Sequence, residues 1–193
     1  MKILGLDSSG IVASVAIVED ENLIAEYTVN YKKTHSQTLL PMLDELVKMT
    51  ELDLDTIDAI AVAAGPGSFT GLRIGSATAK GLGLALKKPL VEIPTVDALA
   101  YNLYDSRALI CPIMDARRSQ VYTGIYRFQE HKLVTVEAQM AVPMAEMIEK
   151  LNARGEEVVF LGDGVPVFGK MIQENLKVPY SFAPAHVNKQ RAA

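Results

Sequence analysis

A glycine-rich corner at residues 65–75 constrains the fold of this chain more than any other stretch. The segment reads GPGSFTGLRIG and follows an unbroken apolar run at 57–64. Residues 70–86 continue with the apolar spacing of a helix. A strand that turns at once into a helix is typical of α/β proteins. The N–H groups at such a helix start suit an anion or another chain, and the glycines equally suit a tight, close-packed turn. No Lys-Ser or Lys-Thr pair follows, so the corner is not a Walker phosphate loop.

Composition narrows the class of protein. The chain has 193 residues, of which 49% are hydrophobic and 22% charged, the profile of an ordinary globular protein with one or two cores. Its apolar runs are too short to span a membrane, and its N-terminus lacks the pattern of a signal peptide. A single cysteine, Cys111, fits a reducing compartment, so we expect a cytoplasmic protein with no membrane partner. A net charge of −4 and 6% aromatic residues argue against nucleic-acid binding by this chain alone.

Strand and helix patterns appear twice in the same order, which predicts two related α/β domains. We place the division after residue 103, giving domains at 1–103 and 104–193. Residues 185–193 look like the start of a helix that does not continue, so we expect a truncated C-terminal helix and an incomplete second domain. The predicted strands are 3–7, 13–19, 23–31, 57–64, 90–93, 109–114, 120–128, 133–136 and 158–161; the main predicted helices begin at 35, 70, 96, 143 and 165.

Small residues form a stripe on the helix that follows the corner. Gly71, Gly75, Ala79 and Gly83 are four positions apart and therefore share one face. Each helical glycine costs up to about 1 kcal/mol relative to alanine, so close packing has to offset it. The face packs either against its own sheet or against a helix of another chain, and both alternatives stay open.

Few residues carry recognisable chemistry. Asp7-Ser8-Ser9 and Asp115 follow predicted strands and suit a phosphate or a metal-bound water, although Asp and Ser are also ordinary turn residues. Arg117 and Arg118 suit a phosphate or a local carboxylate.

The histidines argue against a metal site. His35 begins the first helix, but Leu39 occupies the position four residues later where a metal-binding helix would carry a second histidine. His131 and His186 lie far along the chain. The sequence therefore predicts neither a metal site nor a nucleophilic triad.

Taken together, these residues resemble the TsaB (YeaZ) family, the bacterial partner proteins in making threonylcarbamoyladenosine in tRNA. The resemblance runs in order over nearly the whole chain, and the corner is its most specific part. It implies two actin-like, ribonuclease-H-like α/β domains, a degenerate form of the fold shared by actin, sugar kinases and Hsp70. The segments that carry it are 4–9, 35–41, 65–75 and 115–122.

The resemblance also implies a function and a set of partners. It implies a non-catalytic scaffold that activates TsaD, which transfers the threonylcarbamoyl group to adenosine 37 of tRNA. A TsaE-like ATPase, and tRNA through the complex only, are the further partners, and the chain alone forms a homodimer. ATP and metal are expected on the partners, and no cofactor on this chain. The alternative is an ATP-binding or peptidase-like enzyme of the same superfamily.

Two sets of residues follow from the resemblance. The expected partner interface comprises Leu39, Leu43 and Leu46 of the first helix with Gly71, Leu72, Ile74, Gly75 and Thr78 of the second. The expected vestigial nucleotide site comprises Asp7, Ser8, Ser9, Asp115, Gly162 and Gly164.

Overall fold

The computed structural model describes residues 1–31 and 34–193 and contains two compact units. Unit 1 consists of Met1–Thr95 with Gln190–Ala193, and unit 2 of Val96–Lys189. The domain division after residue 103 stays a prediction. Within the described ranges, no helix has both the length and the apolar character that crossing a membrane requires.

Unit 1 is built on a mixed five-stranded sheet. Its elements are β1 (Lys2–Asp7), β2 (Ala13–Glu19), β3 (Asn22–Val29), α1 (His35–Thr50), a 3-10 turn (Leu54–Thr56), β4 (Ala59–Gly65), α2 (Phe69–Leu86) and β5 (Leu90–Pro94). The strand order is β3-β2-β1-β4-β5. The first three strands form an antiparallel meander, and β4 and β5 extend it in parallel. The order of strands and helices is the one that the sequence predicts for this half of the chain.

Apolar spacing explains how α1 packs on this sheet. Leu39, Met42, Leu43 and Leu46 recur at intervals of three and four, which brings them to one helical face. All four are at most 4% exposed and belong to the core of unit 1, together with Leu4 and other strand residues. These residues form the apolar face of α1, which packs against the helix's own sheet.

Unit 2 repeats the same plan. Its elements are α3 (Thr95–Tyr101), which begins at the last residue of unit 1, β6 (Leu109–Asp115), β7 (Gln120–Gln129), β8 (Lys132–Pro143), α4 (Met144–Arg154), β9 (Val158–Leu161), α5 (Val165–Asn175) and β10 (Tyr180–Phe182). The strand order is β10-β9-β6-β7-β8, with β6, β7 and β8 antiparallel and β9 and β10 parallel to β6. β8 is longer than the predicted 133–136 because it pairs with β7 along its length.

The helix predicted to start within residues 185–193 is wrong, because that segment is irregular. Its carbonyl groups accept hydrogen bonds from distant donors instead of from the next helical turn. Asn102 Nδ2 donates to the carbonyls of Val187, at 3.0 Å, and of Lys189, at 2.7 Å. The N–H of Gly162 donates to Asn188, at 2.8 Å. Tertiary hydrogen bonds therefore override the local helical pattern.

Candidate functional site

The turn that follows β1 lies directly against the start of α2. Ser8 Oγ donates a hydrogen bond to the carbonyl oxygen of Gly71, at 2.9 Å, and the N–H of Ser68 donates to the carbonyl oxygen of Ser9, at 2.7 Å. Asp7, Ser8 and Ser9 are buried. The N–H of Ser68 is thus bonded within the chain and is not free for a ligand. The corner is therefore a close-packed turn, which is one of the two alternatives that the sequence left open.

The glycines of α2 make this contact possible. A Cβ atom on Gly71 would lie 2.0 Å from the carbonyl oxygen of Ser8, and one on Gly75 would lie 2.5 Å from Ser8 Oγ. Farther along the helix, a Cβ on Gly83 would lie 2.9 Å from Leu90 Cδ2. At distances this short a side chain would force its neighbour to move, and at Gly71 that neighbour is a backbone oxygen. The small-residue stripe therefore packs inside unit 1.

Asp7 is the perturbed titratable group of this turn. Its Oδ1 accepts hydrogen bonds from the N–H of Ser9, at 2.8 Å, and from Ser9 Oγ, at 2.6 Å. Burial raises the pKa of Asp7 to about 6, because desolvation outweighs the stabilising effect of these hydrogen bonds. A carboxyl group with such a pKa is a candidate functional group by its electrostatics.

His35 also belongs to the turn. Its Nε2 lies 2.9 Å from the carbonyl oxygen of Gly10. Since a carbonyl only accepts, Nε2 carries the proton in this contact. Leu39, one turn along α1, is 1% exposed in the core. The imidazole of His35 therefore links the turn to α1 by a hydrogen bond. One helical turn later, the same face carries the apolar side chain of Leu39.

The second half of the predicted nucleotide site lies in unit 2. The N–H of Asp115 donates to Asp163 Oδ1, at 3.2 Å, and the N–H of Gly164 donates to the carbonyl oxygen of Ile113, at 2.9 Å. A Cβ on Gly162 would lie 2.2 Å from that same oxygen. The Gly162–Gly164 turn is thus held against the end of β6. Burial raises the pKa of Asp163, a residue that the sequence reasoning passed over although it lies between the two glycines.

The structure thus groups the predicted nucleotide residues within each unit. Asp7, Ser8 and Ser9 lie together in unit 1, and Asp115, Gly162 and Gly164 lie together in unit 2. That either group binds a nucleotide stays a prediction.

The predicted partner interface stays a prediction, and the structure shows how far its residues are exposed. Five of its eight residues are buried in unit 1, so their side chains are not presented to a partner in this structure. These are Leu39, Leu43, Leu46, Gly71 and Gly75. The physical reason is that the apolar and small faces of the two helices complete their own core. Contact of a partner with the partly exposed Leu72, Ile74 and Thr78 stays a prediction.

The opposite face of α2 is exposed and carries apolar side chains next to the cations Arg73 and Lys80. Residues two positions apart on a helix point about 200° apart, so Phe69, Ala77 and Gly81 lie opposite the stripe. Phe69 is 69% and Leu84 is 83% exposed, and the Arg73 guanidinium lies 3.9 Å from the centre of the Phe69 ring. A pocket of about 510 Å³ opens beside this face, between α2 and the strands β4 and β5. The sequence analysis did not identify this outer face. Its positions 69, 73, 77 and 81 are four residues apart, so the sequence alone places them on one side of the helix.

The chain is similar to known proteins in both sequence and structure. Residues 22–193 match the family model described as TsaD: tRNA N6-adenosine threonylcarbamoyltransferase. The chain is 36% identical to the tRNA threonylcarbamoyladenosine biosynthesis protein TsaB of Bacillus subtilis, covering 91% of this chain and 77% of the relative. It is 30% identical to the Escherichia coli protein of that name, covering 85% and 72%. The solved structure of YeaZ from Pseudomonas aeruginosa superposes with a TM-score of 0.81 at 26% identity, covering 97% and 86%. With the two mixed sheets, these matches confirm the expected actin-like α/β fold.

Proposed function

This chain belongs to the TsaB family, and from that premise we propose that it acts with a TsaD-type protein in making threonylcarbamoyladenosine in tRNA. Its own part is that of a non-catalytic scaffold. The observation that carries this assignment is the hydrogen bond from Ser8 Oγ to the Gly71 carbonyl, which closes the turn after β1 against α2.

The closed turn does not fit the ATP that an actin-like fold implies. Anionic phosphate needs N–H donors. Here the carbonyl oxygen of Ser8 approaches Gly71 in α2, and that of Ser9 approaches Gly67 in the corner before the helix. Oxygen atoms at these places would repel a phosphate, and a Ser68 N–H that could bind one is already used. This supports the proposal that nucleotide chemistry belongs to a partner.

The metal is likewise assigned to a partner. Within residues 1–31 and 34–193, no group of three or more His, Cys, Asp or Glu side chains is placed to hold a metal ion. His35 is engaged with the Gly10 carbonyl, and Leu39 stands where a second imidazole would be needed. A single imidazole is a poor site for a catalytic metal.

The outer face of α2 is the surface that we assign to the TsaD-type partner. Phe69 and Leu84 expose apolar side chains, and Ala77 and Gly81 between them allow another helix to approach closely. Nothing lies within 4 Å of a Cβ built on Gly81, so this part of the helix is open. The same face serves a second copy of the chain when the partner is absent, and a TsaE-like ATPase and tRNA join through the complex.

Co-purification and tRNA modification test this function. The wild-type chain should retain a TsaD-type protein on an affinity column and restore threonylcarbamoyladenosine formation in a mixture that lacks it. Leu84→Glu, which puts a charge on the outer face, should lose both effects and remain folded. Val167→Glu is the matched control, because Val167 is an exposed apolar residue of unit 2.

Two outcomes would overturn parts of the proposal. If Leu84→Glu and Val167→Glu assembled equally well, the outer face of α2 would not be the interface. If this chain modified tRNA with ATP but without a TsaD-type protein, the non-catalytic assignment would be wrong.

A further inference from the structure

The tip of the β6–β7 hairpin holds three consecutive non-glycine residues in the left-handed conformation. The φ angles of Arg117, Arg118 and Ser119 are 68°, 51° and 60°. Side chains with a Cβ atom make this region unfavourable, and residues other than glycine visit it singly rather than in runs. The tip therefore carries local strain, a condition that is concentrated at functional sites.

Backbone groups and one carboxylate hold this geometry. The N–H of Ala116 donates to the carbonyl of Gln120, at 3.0 Å, and the N–H of Gln120 donates to the carbonyl of Arg117, at 2.9 Å. The N–H of Arg117 also donates to Asp115 Oδ1, at 2.9 Å. None of these bonds uses an arginine side chain. Glycine at these positions would keep the same bonds with less strain.

The guanidinium groups of Arg117 and Arg118 do not contribute to packing either. Arg117 is 86% exposed, and Arg118 is exposed. The pair between Arg117 and Asp115, at 3.3 Å, lies in solvent, where such pairs contribute little. Asp115 itself is only 22% exposed, and its neighbour Asp163 is half-buried. The carboxylates thus lie at the base of the hairpin, and the positive charges lie at its tip.

We propose that the Arg117–Arg118 tip binds backbone phosphates of the tRNA substrate. This rests on the proposed function, in which tRNA meets the assembled complex. The guanidinium group matches phosphate oxygens with two parallel N–H donors. A hairpin tip is convex and offers no pocket for a small phosphate ligand, whereas a polyanion can engage two adjacent cations at once. The net charge of −4 explains why the tip needs the surface of the partner to hold RNA.

Salt-dependent binding tests the tip. The wild-type chain and its variants are assembled with the TsaD-type protein, and binding of a fluorescent, unmodified tRNA transcript is measured over a series of salt concentrations. Arg117→Gln with Arg118→Gln should weaken binding roughly tenfold or more and reduce the slope of log K against log salt by about 1.4–1.8, since each lost contact removes about 0.7–0.9. Arg107→Gln with Lys132→Gln removes two exposed cations of the same unit and should leave both quantities unchanged.

A glycine variant separates folding from binding. Arg117→Gly with Arg118→Gly should bind tRNA as weakly as the glutamine variant and keep an equal or higher melting temperature. The proposal is wrong if the glutamine variant matches the control variant in affinity and slope. It is also wrong if the glutamine variant fails to assemble, because the tip would then contact the partner protein. A wild-type complex that binds tRNA but forms no threonylcarbamoyladenosine would refute the proposed function instead.

Discussion

Arg191 and Glu26 lie 165 residues apart in the chain and form a two-pronged ion pair within unit 1. Arg191 Nε donates to both carboxylate oxygens, at 3.0 and 3.2 Å, and Arg191 Nη2 also donates to Glu26 Oε2. The Glu26 side chain is only 9% exposed. Beside it, the N–H of Ala192 donates to Ser14 Oγ, at 3.0 Å. The pair thus fastens Gln190–Ala193 to the strands β2 and β3.

Breaking this pair should destabilise unit 1. We expect Arg191→Ala to lower the free energy of unfolding by about 1–3 kcal/mol, because a largely buried carboxylate loses its partner. Urea unfolding measures the change. Lys48→Ala, which removes an exposed pair with Asp44, is the control and should have little effect.

The loss should also depend on pH. Burial opposes ionisation of Glu26, but the hydrogen bond and charge of Arg191 outweigh it and lower the pKa below the usual 4.5. A lowered pKa stabilises the fold above that value, and the stabilisation disappears as the pH falls through the folded-state pKa. The difference between wild type and Arg191→Ala should therefore shrink below pH 4.5. A difference that stayed constant into strong acid would contradict the ion pair.

Asp7 should give the opposite pH dependence. Its pKa is raised from 3.8 to about 6, so the folded chain keeps a proton that the unfolded chain loses. The free energy of unfolding should then fall as the pH rises from about 4 to about 6, by ~3 kcal/mol in total, and stay level above that. Asp7→Asn retains an acceptor for Ser9 and should abolish this decline. Asp44→Asn changes an exposed carboxylate and serves as the control, so it should leave the decline in the free energy of unfolding in place. If Asp7→Asn showed the same decline as the wild type, a group other than Asp7 would be responsible.

Regular periodicity made much of the fold predictable. The three- and four-residue spacing of Leu39, Leu43 and Leu46 is visible in the sequence because a helix repeats every 3.6 residues, and the structure buries all three. The order of strands and helices in both units follows from the same kind of pattern. Periodicity shows that these residues share a face, and the structure adds that the face belongs to the chain's own core.

Contacts between distant segments were not predictable in the same way. The sequence displays the small residues of α2 but not the Ser8 carbonyl that they face, 63 positions away from Gly71. Nor do local propensities indicate left-handed backbone at Arg117 and Arg118, which usually belongs to glycine or asparagine. The first feature depends on a tertiary contact, and the second on hydrogen bonds within the hairpin tip.

Cys111 should be unreactive in the folded chain. The thiol is fully buried in β6, and burial raises its pKa to about 12, while a contact of 3.5 Å with Thr123 Oγ1 offsets this only in part. Because the thiolate is the reactive form, a thiol reagent such as DTNB should label it only in denaturant. Labelling of the native chain within seconds would show that unit 2 opens far more easily than its core suggests.

Gly71 and Gly81 offer a matched comparison on one helix. In Gly71→Ala, the new Cβ would lie 2.0 Å from the Ser8 carbonyl oxygen, so the turn and α2 have to separate. We expect a loss of about 1–3 kcal/mol in the free energy of unfolding, or more if the turn cannot shift. In Gly81→Ala the Cβ enters open space, so helix propensity alone should add about 0.5–1 kcal/mol.

Urea unfolding of the two variants measures both changes, and their signs should be opposite. Equal effects would mean that the turn after β1 does not contact α2 closely. The non-catalytic assignment, which rests on that contact, would then lose its support.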